Sequence, residues 1–315
     1  MTMNIPYLSS SDLDGLCLKT ADVIGAIEQA ILGSTQGRVW AAPKAVVMPP
    51  DDQRYMMAAL AAMDAPSLLA VKTVVLNPEN PAQGLPQING LVTMLDSVTG
   101  LPAAILDGNW ITAVRTAGLS ATAAKHMARP DASVIGFAGC GVQARSHLQA
   151  FAEIFDLEQV KIFGRGQANK DALRAMAEGM GLSVEGCAEG QEIVETCDLI
   201  VTSITHTSVD EPFLDAGGMR AGAFAAVVDL AGPWRRESFS ALGRVVIDDL
   251  VQEAALPNKL CDPADVTGDL TGLVTGQIAG RADSKEASAF VFRGHALGDL
   301  ALSALALETY RARAT

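Results

Sequence analysis

The chain has 315 residues, 49% hydrophobic and 5% aromatic, enough for a large core and two domains. A formal net charge of −13 argues against nucleic acid and membrane as partners, because an acidic surface repels both phosphate backbones and anionic lipid. No apolar run reaches the roughly 18 residues needed to span a bilayer, Met1 to Ser11 lacks a signal peptide's pattern, and the five dispersed cysteines read as reduced thiols; a cytoplasmic protein is expected.

Taken in chain order, Thr20 reads as an N-cap, followed at helical spacing by Val23, Ile24, Ile27, Ala30 and Ile31. Gly33 and Gly37 end that helix. Strands are predicted at 45–48, 55–60, 69–76, 90–95 and 102–106, the last two joined by a Thr99-Gly100 turn. A long Ala-rich helix follows from Thr112 to Arg129. Strands then alternate with helices, at 134–138, 160–163, 199–203, 223–229 and 245–248, and a last amphipathic helix runs from Asp299 to Arg313. The alternation predicts an α/β fold: a doubly wound, Rossmann-type parallel sheet over residues 113–292. Residues 1–112 together with 293–315 should form a second, α+β domain for substrate binding and dimerisation. A ligand in such folds lies beyond the carboxyl ends of the strands, so the cleft between the domains is the expected site.

The run Val134-Ile135-Gly136-Phe137-Ala138 passes into Gly139-Cys140-Gly141-Val142-Gln143-Ala144 and then a helical pattern. This is a G-x-G-x-x-A fingerprint in its strand–turn–helix setting. Gly139 permits the turn, Gly141 permits close approach to a pyrophosphate, and Ala144 keeps the helix near the sheet. The phosphates would sit on the helix N-terminus. The second strand of the fold ends in Phe163 and is followed by Gly164-Arg165-Gly166-Gln167-Ala168-Asn169-Lys170. No acid occurs there until Asp171. A carboxylate at that strand end would select NAD(H) through the ribose 2′-hydroxyl. Arg165, with Asn169 and Lys170 as further donors, suits a 2′-phosphate, so NADP(H) is preferred and NAD(H) remains possible. A solvated surface charge is the alternative reading of Arg165.

Four charged side chains sit in chemically suggestive places. Lys72 lies mid-strand in an apolar run, where an ammonium must be paired or lose its proton; a lysine snorkelling from an edge strand fits the same pattern. Arg115, early in the long helix at the domain junction, suits a carboxylate or pyrophosphate, or an interdomain salt bridge. Lys44 is a second cation bordered by apolar residues. Asp229 ends the apolar run 225–228, where it could face a cofactor or cap a turn. The histidines His126, His147, His206 and His295 have no metal-ligand spacing, and no metal is expected.

The elements Lys72…Asn77-Pro78…Gly84-Leu85-Pro86…Asp107-Gly108…Thr112-Ala113-x-Arg115-Thr116-Ala117 and Gly139-x-Gly141-x-Gln143-Ala144 resemble the ornithine cyclodeaminase/mu-crystallin family over nearly the whole chain. The resemblance implies an NAD(P)-dependent enzyme, typically a homodimer joined through the non-Rossmann domain. It implies Lys72 as the catalytic lysine, Arg115 as the arginine bridging substrate carboxylate and cofactor, and Asp229 as the aspartate that cyclodeaminases set against a substrate amine. Lys44 falls where the family has a carboxylate-gripping arginine; lysine keeps the charge but loses the bidentate fork. Gln87 falls among side chains near the cofactor, and Thr116 and Thr202 join Arg115, Gly139–Ala144, Gly164, Arg165, Gly166 and Asn169 in the expected cofactor-binding set. The glutamate that cyclodeaminases carry before a Met-Pro pair is absent from Tyr55-Met56-Met57-Ala58. The expected activity is NADPH-dependent reduction of a small 2-imino acid, such as pyrroline-2-carboxylate, to the amino acid. The alternatives are ornithine cyclodeamination with recycled NAD, and a silent NADPH-binding protein. Arg235 and Arg236 are either contacts for a second substrate acid group or surface charges.

Overall fold

The computed structural model describes residues 5–50, 52–205 and 211–314; His206 lies outside them. The chain divides into two compact units, Met1–Arg115 with His295–Thr315, and Thr116–Gly294.

The first unit contains β1 (Tyr7–Leu8), α1 (Ser10–Asp14), α2 (Thr20–Thr35), β2 (Val39–Ala41), β3 (Ala45–Val47), β4 (Tyr55–Met63), β5 (Leu68–Leu76), β6 (Ile88–Leu95), β7 (Pro102–Asp107) and the start of α3 (Gly108–Met127). Its sheet runs β1-β7-β6-β5-β4-β2, with β3 also paired to β4. Only β1 pairs in parallel, with β7; the hairpin-like succession read from the sequence forms the antiparallel remainder. Several helix ends differ from expectation. Lys19, not Thr20, is the N-cap of α2, and Thr20 is its first, buried residue. Gly33 stays helical because its bare Cα admits Val39, whose Cγ2 would lie 2.5 Å from an added Cβ; the reversal comes at Gly37, at φ +69°. The helix α3 starts ahead of Thr112, at Gly108, where a Cβ would lie 2.5 Å from the Gly90 carbonyl carbon.

The second unit contains β8 (Val134–Ala138), α4 (Val142–Ala152), β9 (Gln159–Phe163), α5 (Gln167–Gly179), β10 (Ser183–Gly186), α6 (Gly190–Thr196), β11 (Leu199–Thr202), β12 (Phe224–Val227), β13 (Arg244–Ile247), α7 (Leu250–Ala255), β14 (Val266–Asp269), α8 (Leu270–Val274) and β15 (Ser288–Val291). All its strand pairs are parallel, in the order β10-β9-β8-β11-β12-β15-β13-β14. The fold is therefore α/β with a doubly wound sheet, beside a mixed sheet in the first unit. Strands β10, β14 and β15 were not read from the sequence. The first and second of these are short edge strands; the last is four buried residues inserted out of chain order between β12 and β13.

The closing helix α9 (Ala296–Ala314) returns to the first unit and packs on α2, β2, β4 and β5. Side chains alternate across a strand, so Leu68, Ala70 and Lys72 of β5 share the buried face with Ala59, Ala61, Val92 and Met94. The other face leaves Leu60, Val75 and Leu91 exposed. No helix among the described residues is long and apolar enough to cross a membrane.

Candidate active site

In the first unit the site grows from β5. This strand pairs with β4 on one side and β6 on the other, so Lys72 is on a central strand, not an edge. It is 1% exposed, and its Nζ donates to Asp299 Oδ1 of α9 at 2.6 Å and to Thr112 Oγ1 of α3 at 3.3 Å. Arg115 Nε lies 2.9 Å from the same Asp299 oxygen. One carboxylate oxygen thus serves two buried cations. Lys44 stands just before β3, near enough for its charge to act on both Lys72 and Asp299.

Burial pushes the Lys72 ammonium down to about 7; the Arg115 charge adds to this, and Asp299 opposes without overcoming it. Burial works to raise Asp299, but the charges of Arg115 and Lys72 win and hold its carboxyl below the usual range. The result is a firmly ionised aspartate beside a lysine that can gain or lose a proton near neutrality, the property required of a general acid. Asp299 was not among the sequence candidates. Its signal was an acid between Leu297 and Leu300 in the apolar first turns of the last helix, together with the need of a buried Lys72 for a counter-charge.

In the second unit the fingerprint forms the predicted turn. Gly139 adopts φ +95°, and a Cβ there would lie 2.8 Å from the Ser203 carbonyl oxygen. Its N–H donates to the Phe163 carbonyl at 2.9 Å, linking the turn to the end of β9. Gly141 is the N-cap of α4 with no side-chain cap, and the first turn of the helix has no acid. A Cβ on Gly141 would meet nothing within 4 Å, and Gln143 Oε1 is buried without a hydrogen-bond partner. An uncapped N-terminus and open space fit a dinucleotide's pyrophosphate. Ala144 is fully buried and Val142 exposed. Burial raises the Cys140 thiol to about 11, so it is no nucleophile. Gly164 is partly buried, while Arg165, Gly166 and Asn169 are exposed around the start of α5. Thr116 is buried in α3, and Gln87 is partly buried beside β6.

At the end of β12, Asp229 is buried with Thr202. The Thr202 hydroxyl donates to Asp229 Oδ1 at 3.0 Å and the Ile204 N–H to Oδ2 at 3.1 Å. Trp234 Nε1 donates to Thr202 Oγ1 at 3.0 Å. An indole N–H can only donate, so the Thr202 proton is directed at Asp229. Burial pushes the Asp229 carboxyl up to about 7 against these donors. Leu230 and Ala231 both have positive φ, +59° and +56°, a conformation costly for residues with a Cβ and concentrated at functional sites. Arg236 braces this turn, donating to the Leu230 carbonyl at 3.3 Å and the Lys259 carbonyl at 2.6 Å. Arg235 lies 3.7 Å from Asp215. Among the described residues no group of His, Cys, Asp and Glu is arranged to hold a metal.

The model of the ornithine cyclodeaminase/mu-crystallin family matches residues 8–313. The chain belongs to this family. It is 27% identical over 318 residues to an alanine dehydrogenase of Archaeoglobus fulgidus, covering 97% of this chain and 95% of that protein. It is 28% identical over 311 residues to the ketimine reductase mu-crystallin of Rattus norvegicus, covering 96% and 97%. Among solved structures it matches the Thermococcus litoralis Delta(1)-pyrroline-2-carboxylate reductase in complex with NADH and L-proline, with a TM-score of 0.88, 25% identity and 99% of each chain covered. In the company of these relatives the chain is an NAD(P)-dependent oxidoreductase of the C–N bond.

Proposed function

We propose that this enzyme reduces a small 2-imino acid to the amino acid, with NADPH as the preferred reductant and a cyclic ketimine carboxylate such as pyrroline-2-carboxylate as substrate. The observation that carries this reading is Lys72, buried against Asp299 with its pKa drawn to about 7. Bound NADPH would supply the hydride to the imine carbon. Imine reduction also consumes a proton, and an iminium carbon is the better hydride acceptor. Lys72 holds that proton at Nζ and delivers it to the imine nitrogen. Asp299 fixes the ammonium in place and keeps it protonated long enough to donate. Arg115 and Lys44 orient the substrate carboxylate. Asp229 stabilises positive charge on the substrate nitrogen, with Thr202 and Ile204 fixing the direction of its oxygens.

The dinucleotide would rest on Gly139–Ala144 and the start of α4. The preference for NADP(H) is supported by Arg165, Asn169 and Lys170 and by the lack of an acid between Phe163 and Asp171. The exposed Leu60, Val75 and Leu91, with Val47 beside them, support a homodimer formed through this sheet. The test is NADPH and NADH oxidation with pyrroline-2-carboxylate, run beside ornithine with NAD. Oxidation of NADPH well above NADH supports the proposal. Proline from ornithine without net change in nicotinamide absorbance makes the enzyme a cyclodeaminase and overturns it.

A further inference from the structure

One cation beside the dinucleotide turn has no part in the function above. Arg145 lies near the start of α4, and a helical side chain leans back toward its N-terminus. Its Nη1 donates to the Cys140 carbonyl at 3.4 Å and to Asn169 Oδ1 at 3.5 Å. Arg145 therefore joins the pyrophosphate turn to the segment after β9. The charges of Lys170 and Arg145 both reach the Cys140 thiol, so two cations converge here, with Arg165 following Gly164 in the same segment.

Among the described residues neither Arg145 nor Lys170 has a carboxylate partner. Both helices that begin here, α4 and α5, have N-caps without a side-chain bond and no acid in the first turn. A cation near a helix N-terminus opposes the dipole, so Arg145 makes an already positive end more positive. Among the described residues no carboxylate pairs with Arg145. The first acid after β9, Asp171, is turned to Gln167, whose Nε2 donates to it at 2.6 Å. Such a concentration of positive charge is relieved by a bound anion, and a guanidinium matches a phosphate with its two-pronged edge.

We propose that Arg145 is a specificity-determining residue for NADP(H): with Arg165 and Lys170 it forms the 2′-phosphate subsite, approaching from α4 while Asn169 holds its Nη1 in place. This rests on the NADP(H) preference proposed above. The test needs no turnover. Equilibrium binding of NADPH, NADH, adenosine 2′,5′-bisphosphate and 5′-AMP is measured by calorimetry for the wild type, Arg145→Ala, Arg145→Lys and Arg165→Ala. The expected result is that Arg145→Ala weakens NADPH and the bisphosphate by about tenfold or more while NADH and AMP stay within about twofold, and that Arg145→Lys recovers part of the loss. If the wild type favours NADPH but Arg145→Ala weakens NADPH and NADH alike, or neither, Arg145 is only a brace for the Cys140 turn; the proposal is overturned and the NADP(H) preference stands. If the wild type binds NADH as tightly as NADPH, both fall.

Discussion

The two units each bury an aspartate at a candidate site and treat it in opposite ways. Asp299 is surrounded by charge: Lys72 and Arg115 share one of its oxygens, and Lys44 adds a third positive field. Among the described residues the donors to Asp229 are neutral: the Thr202 hydroxyl, the Ile204 N–H and its own N–H. Burial works to raise both, but only Asp299 is held below the usual range, because full charges outweigh desolvation where hydrogen bonds alone do not. The comparison shows how one chain obtains two groups that titrate near neutrality, a lysine drawn down to about 7 and an aspartate pushed up to about 7, from different physics.

The contrast breaks most severely at Asp299. Asp299→Asn removes the anion that the buried Lys72 and Arg115 share, which should cost about 3–5 kcal/mol in urea denaturation. A loss below about 1 kcal/mol would mean that water or rearrangement screens the cluster. In the same variant Lys72 titrates lower still, so the proton needed for imine reduction is lost at a lower pH, visible as an acid shift of the falling limb of the rate profile.

Asp229→Asn probes the neutral site. The folded pKa of Asp229 lies above its unfolded value, so the folded chain binds the extra proton, and the stability this provides is complete below about pH 4 and lost as pH rises through about 7. Asn does not titrate. The wild type's advantage over the variant should therefore shrink between pH 4 and 7. An advantage that is flat over that window, having grown only below about pH 4, would show that Asp229 is depressed like Asp299, and the contrast would vanish.

The smallest effect is expected at Thr202. Thr202→Val removes the hydroxyl that favours the charged form of Asp229, so the Asp229 midpoint should rise, at a stability cost of about 1–3 kcal/mol because Trp234 Nε1 loses its acceptor. Thr202→Ser should restore both. An unchanged midpoint in the valine variant would show that Ile204 alone orients the carboxylate.

How legible these regions were differs in the same way. The dinucleotide turn is local, and Gly139, Gly141 and Ala144 announce it by their spacing between an apolar strand and a helical pattern. Lys72 was visible as a charge in an apolar strand, but its environment was not, because Asp299 is 227 residues away in the chain. Only the return of α9 onto β4 and β5 brings them together. The tie from Trp234 through Thr202 to Asp229 was hidden for a similar reason: it crosses between β11 and the turn after β12. The sheet order was hidden where β15 inserts between β12 and β13, since a four-residue run such as Ser288–Val291 has no periodicity to mark its place.

The most direct measurement is a paired one on Lys72→Ala: steady-state NADPH oxidation with pyrroline-2-carboxylate, and NADPH binding to the same protein. Lys72 as the proton donor predicts that turnover falls by about 10²-fold or more while NADPH affinity stays near the wild type's. Loss of NADPH affinity as large as the loss of rate, or turnover that survives the substitution, would contradict it.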